Sequence, residues 1–113
     1  QTNGLSLIVD RISAMNKEGL PLILTGDFNI RPNNPALTEN LDHKMKSARK
    51  FALKTDNLAT ANDWGRNRDK NKIIDYIYFS GFSSCTEYST ITKKYGQWNY
   101  ISDHYPVSAT LVF

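Results

Sequence analysis

At 113 residues the chain holds at most one hydrophobic core, and its 40% hydrophobic and 12% aromatic content is that of a globular chain rather than a disordered one. A formal charge of +3, from 14 Lys and Arg against 11 Asp and Glu, tolerates a phosphate-bearing partner but lacks the dense basic stripe of a specific nucleic-acid binder. The lone Cys85 excludes an internal disulfide framework and a multi-cysteine metal site, and no run approaches the ~18 apolar residues of a membrane span.

The chain begins at Gln1 rather than Met, so a processed or trimmed start is expected and the compartment stays open. Leu5, Ile8, Val9, Ile12 and Met15 recur at spacings of three and four and predict an amphipathic helix. Gly19 is placed to end it and Pro21 to prevent its resumption. The run Leu22-Ile23-Leu24-Thr25 then reads as a strand covered on both faces, with Gly26 at its end or where another backbone comes close. A helix feeding directly into a strand favours an α/β class. Asp27 and Asn29 emerge at the carboxyl end of that strand, where open α/β sheets keep their ligands. They are equally the residues of an ordinary turn.

Ile30 to Pro35 is a loop by composition. A second helix is expected from about Pro35 to Phe51, with Asn34 as its cap, Pro35 in its first turn and Leu37, Leu41, Met45 and Ala48 as its apolar stripe. His43 falls on its exposed side. Lys54 to Lys72 is a long polar connection of the kind that often carries function. Within it Trp64 is either a core anchor or a stacking platform for a substrate ring, and Arg66 to Lys72 either a solvated loop or a phosphate contact. Ile73 to Phe79 is the clearest strand, with Ile73, Asp75, Ile77 and Phe79 on one face. A carboxylate on an apolar face is costly to bury alone, so Asp75 calls for a partner. Tyr88 to Lys93 reads as a further strand, leading through Lys94 to Gln97 into Trp98-Asn99-Tyr100. A terminal strand runs from Val107 to Phe113 with Val107, Ala109, Leu111 and Phe113 alternating against Ser108, Thr110 and Val112. Cys85 suits a small buried residue better than a nucleophile.

Three short clusters carry the chemistry: Asp27 with Asn29, Asp75, and Asp103 with His104. A hard cation such as Mg2+ takes carboxylate oxygen and needs few protein ligands, a role that Asp103 can fill. An imidazole can act on an attacking water or support phosphoryl oxygens, and a second carboxylate can fix its tautomer, which suits His104 and Asp75. Asp27 and Asn29 are left to position the nucleophile and to donate to developing negative charge.

Each cluster is common alone, but their order is distinctive. Gly26-Asp27-Phe28-Asn29, Ile74-Asp75-Tyr76-Ile77 and Ser102-Asp103-His104-Tyr105-Pro106-Val107 resemble the carboxyl-terminal motifs of the endonuclease/exonuclease/phosphatase superfamily, over about Leu20 to Phe113. The resemblance implies a phosphodiester or phosphomonoester hydrolase using Mg2+ or Mn2+. His104 would be its catalytic histidine, Asp75 the partner of that histidine, and Asp27 the residue that aligns or deprotonates the water. Asn29 would steady the transition state, and Asp103, Asp27 and Asn29 would lie at the metal. Trp64 and Asn34 would flank the substrate.

The implied fold is half of a two-sheet, helix-flanked, four-layer α/β sandwich with mixed sheets. Residues 1–113 would form one partial domain, the carboxyl-terminal half. The family's early Asn, its metal-binding Glu and a further His have no counterpart here. That absence leaves two readings of the isolated chain: the catalytic half of a metal-dependent phosphoesterase, inactive alone, or a non-catalytic binding or scaffold module. A basic nucleic-acid-binding domain has only Arg66, Arg68, Lys70 and Lys72 in its favour. An uncovered sheet face also predicts self-association, as a two-fold dimer imitating the missing half.

Overall fold

The computed structural model describes residues 2–65, 72–92 and 102–113. Residues 66–71 of the expected basic run Arg66 to Lys72 and the segment 93–101 lie outside the described residues, Lys72 alone of the run's cations being within them.

Helix α1 (Thr2–Met15) buries Leu5 and Val9 and half-buries Ile12, so the predicted stripe is real but narrower than expected. Ile8 lies at its margin and Met15 is 84% exposed. Asn16 closes the helix by bonding Leu20 in both directions, its amide donating to the Leu20 carbonyl at 2.9 Å and its oxygen accepting the Leu20 N–H at 3.0 Å. Gly19 takes φ +69, the left-handed turn that reverses the chain toward strand β1 (Leu22–Asp27).

β1 pairs antiparallel with β3 (Asp75–Ser80), whose other edge carries the two-residue β2 (Lys46–Ser47). A second antiparallel sheet joins β4 (Ser84–Thr90) to β5 (Val107–Val112). Both sheets are therefore antiparallel among the described residues, not mixed. The only parallel pairing among them is an isolated bridge between Lys54 and Glu87.

The expectation that β1 is covered on both faces does not hold. Its residues alternate half-buried and exposed, and Ile23 is 57% exposed. β3 is the strand buried on both sides. Tyr76 and Tyr78 face a core built by Leu5, Val9, Leu37 and Leu41, while Phe79 faces a second core with Ala48, Cys85 and Tyr88. The β4–β5 sheet covers β3 but leaves β1 open on this side, because Ile23 is opposite Phe79 in register and yet exposed. Gly26 lies inside β1 rather than at its end. A Cβ there would meet the Phe28 ring at 3.0 Å, so a ring and not a backbone makes the close approach.

The expected helix from Pro35 to Phe51 is broken into pieces. Asn34 does cap it, its side-chain oxygen accepting the Ala36 N–H at 2.9 Å. A π-helical turn (Leu37–Leu41) runs into the single turn α2 (Asp42–Lys44); Met45 then turns extended and β2 pairs Lys46 with Phe79 and Ser47 with Tyr78 before α3 (Ala48–Phe51). All four stripe residues are buried nonetheless. Periodicity located the apolar face correctly, and strand pairing with β3 overrode the helix between its turns. β4 begins four residues earlier than expected because Ser84 and Cys85 pair with Val112 and Leu111. Cys85 is buried, and burial pushes its thiol up, away from nucleophilic use.

Gly81 ends β3 at φ +79, and a Cβ there would come within 2.9 Å of the Pro21 Cα. Gly81→Ala is expected to cost about 1–3 kcal/mol, from left-handed strain plus a backbone clash. A urea melt beside Gly4→Ala, where nothing lies within 4 Å of the added carbon, checks it. Equal midpoints for the two variants would show that the Gly81 turn is not as described.

Candidate active site at the ends of β1 and β3

Asp27 and Asp75 are directly opposite each other in the β1–β3 register. Two like charges facing across a strand pair repel, so the sheet presents an unfavourable pair that something must offset. His104 does this. Its Nδ1 lies 2.8 Å from Asp75 Oδ2, and its Nε2 lies 3.7 Å from Asp27 Oδ2. A carboxylate only accepts, so the Asp75 bond places a hydrogen on Nδ1 and aims Nε2 toward Asp27. The Asp75 hydrogen bond, against a smaller opposing effect of burial, holds the imidazole pKa above its ordinary value, aided by the fields of Asp75, Asp27 and Asp103.

Local chemistry sets the approach of each group. Asp27 Oδ1 accepts the Asn29 N–H at 2.9 Å, closing a turn that holds Asn29 at φ +56. The turn expected of this pair is therefore present, and it leaves Asp27 Oδ2 facing the His104 ring. Phe28 between them donates its N–H to the Ile74 carbonyl at 3.0 Å and stacks on Tyr76 with ring centroids 5.3 Å apart. Tyr76 in turn donates its hydroxyl to the carbonyls of Ile30 and Ile73, and burial keeps that phenol protonated. His104 is steadied by a bond from its N–H to the Ser102 hydroxyl at 3.2 Å.

Of the residues singled out in the sequence, Asp27, Asp75 and His104 come together, with donor atoms within 4.8 Å of one another. They form a possible metal-binding group. Asn29 is joined to it through its backbone. Asp103 is exposed beside His104, and its carbonyl accepts the Asn62 N–H at 2.8 Å. Asn34 spends its side-chain oxygen on the cap. Trp64 is 52% exposed and not a core anchor; its backbone takes φ +57, ψ +31, held by the buried Asn62 side chain, which accepts the Trp64 N–H at 2.8 Å. His43 is exposed, as expected. Sequence reading missed Thr60 and Asn62. Both are polar residues in a polar loop, and nothing local distinguishes them from solvated ones.

The donor set bears on how an ion could fit. The 2.8 Å contact between Asp75 and His104 leaves no room for an ion between them, so this pair acts as a hydrogen-bonded unit. Asp27 offers the carboxylate oxygen that a hard cation prefers, and Asp103 is not part of the Asp27–Asp75–His104 group.

The raised imidazole pKa has a signed consequence for stability. A group whose folded pKa is raised stabilises the fold fully below its unfolded value, and that contribution fades as pH climbs through the folded value. Wild type is therefore expected to exceed His104→Asn in melting temperature by most below about pH 6.5 and by progressively less above it. Paired thermal melts from about pH 5.5 to about pH 9 measure this, and a gap that widens with pH would contradict the geometry.

The helix-flanked pair of antiparallel sheets has the fold of part of solved proteins described as endonuclease/exonuclease/phosphatases. The chain aligns over 99% of its length with a mannosyl-6-phosphatase of Bacteroides thetaiotaomicron, at 24% identity and a TM-score of 0.84. An endonuclease/exonuclease/phosphatase from Bacteroides vulgatus aligns over 97% at 24% identity and 0.80, and a family protein from Bacteroides thetaiotaomicron over 97% at 22% and 0.81. The chain spans 45%, 42% and 44% of those proteins, so it corresponds to rather less than half of each. At these identities the shared property is the fold. No protein-family model and no curated protein matches the chain.

Proposed function

We propose that this chain is the catalytic portion of a divalent-metal-dependent phosphoesterase. The observation that carries the reading is the line Asp75–His104–Asp27, with 2.8 Å on one side of the ring and 3.7 Å on the other. In this reading Asp75 fixes the ring and favours its imidazolium, so that Nε2–H can donate to a phosphoryl oxygen as negative charge builds there. Asp27, across the ring from Asp75, accepts the proton of the attacking water. The water oxygen bonds to phosphorus, the ester bond breaks, and the departing alkoxide takes a proton from solvent. Asp27, Asn29 and Asp103 would hold Mg2+ or Mn2+, which when bound offsets charge on the phosphate. Trp64, exposed on its constrained turn, is the substrate-facing candidate.

The test is hydrolysis of bis-p-nitrophenyl phosphate and p-nitrophenyl phosphate with Mg2+ or Mn2+, with and without chelator. It is run on this chain and on a longer one that completes the fold. Metal-dependent turnover by the longer chain supports the reading and, from the preferred ester, separates diesterase from monoesterase. A binding or scaffold module of this fold predicts no turnover by either.

A further inference from the structure

The site is fixed from behind by a segment outside all three motifs. Thr60 is fully buried, at 0% exposure, although it lies in a polar connection. Its hydroxyl oxygen accepts the backbone N–H of Ile74 at 3.0 Å and of Asp75 at 3.2 Å, which uses both of its lone pairs. Its backbone bonds in two further directions: its N–H donates to the Lys72 carbonyl at 3.0 Å, and its carbonyl accepts the Tyr105 N–H at 2.8 Å. Next to it Ala61 bridges His104 antiparallel, and Asn62 reaches the Asp103 carbonyl. One residue is thereby tied to the segment that carries Asp75 and to the segment that carries His104.

We propose that Thr60 is the positioning residue for the Asp75–His104 pair: its hydroxyl fixes the backbone from which Asp75 projects, and its carbonyl fixes the residue after His104. The catalytic consequence rests on the phosphoesterase reading; the geometry does not. Asp75 and His104 are 29 positions apart, and their 2.8 Å bond demands that two separate loops stay in register. A β-branched hydroxyl supplies both the acceptor and a restricted χ1. Valine reproduces the shape but leaves two buried N–H groups without an acceptor, whereas serine keeps the acceptor.

The test is proton exchange by NMR on this chain at one fixed pH, with wild type, Thr60→Val and Thr60→Ser. In wild type the Ile74 and Asp75 amides are expected to be protected, and the His104 Nδ1 proton to appear as a slowly exchanging, strongly deshielded signal. Thr60→Val is expected to speed exchange at all three about tenfold, as for loss of roughly one hydrogen bond, while amides of β4 keep their wild-type rates. Thr60→Ser is expected to stay near wild type. Wild-type exchange at His104 in Thr60→Val, or Thr60→Ser matching Thr60→Val, overturns the proposal. Should Thr60→Val not fold, unprotected Ile74 and Asp75 amides in wild type overturn it equally. These readouts need no turnover: absent hydrolysis by the longer chain, with the His104 signal intact here, removes the phosphoesterase reading and leaves the positioning role standing.

Discussion

His104→Ala, in a chain long enough to complete the fold, is expected to lower kcat for phosphoester hydrolysis by about 10²–10³-fold, the range typical of a lost hydrogen-bond donor to transition-state charge. Its ring is the only group placed between two carboxylates at the strand ends among the described residues. Asp75→Asn should be milder, because an amide oxygen can still accept from Nδ1 while its charge no longer favours the imidazolium. Asp27→Asn is expected to match His104→Ala more closely, since it removes the proposed proton acceptor and its negative charge together. Steady-state kcat and KM for the three variants, with folding verified by thermal melt, decide the assignment. Wild-type kcat in His104→Ala would falsify the mechanism outright.

The largest structural effect is expected in the core that sets β3. Leu41→Ala should cost about 2–5 kcal/mol, through lost burial and the cavity left behind. Leu41 has no exposed surface and belongs to the cluster of Leu37, Val9 and Tyr78 on which β3 rests. Small domains have total stabilities of only about 5–15 kcal/mol, so this single change removes a large share and lowers the melting temperature by more than about 10 °C. Met15→Ala, at 84% exposure, is the control and is expected to stay within about 0.5 kcal/mol of wild type. Urea titration of both variants checks the pair. A cost below about 1 kcal/mol for Leu41→Ala would mean that the core lies elsewhere.

Legibility differed from one element to the next for identifiable reasons. Helix α1, its glycine stop and the β5 alternation from Val107 to Val112 were readable because each is encoded within a few residues, whereas Phe113, expected on the inner face, lies beyond the strand and is 86% exposed. Two other readings went wrong where a distant partner decides. Leu22 to Leu24 has the composition of a doubly covered strand, yet coverage depends on where the β4–β5 sheet lies, and that sheet covers β3 instead. Lys46 and Ser47 fall on a helical period, yet pairing with Phe79 and Tyr78 drew them into β2. Trp64 looked like a core anchor by residue type and is exposed because a left-handed turn, held by Asn62, faces it outward.

The sequence by itself determined the chemical inventory: two aspartates at strand positions, an Asp–His pair before the last strand, and their order along the chain. It also determined that Asp75 required a partner, since a carboxylate on an apolar face cannot be left alone. Only the tertiary structure decided which partner and at what separation. The 2.8 Å bond to His104, the Asp27–Asp75 apposition and the Thr60 clamp all join residues far apart in sequence. Such distances follow from how whole strands and loops pack, whereas local sequence pattern reports only periodicity, turn chemistry and residue type.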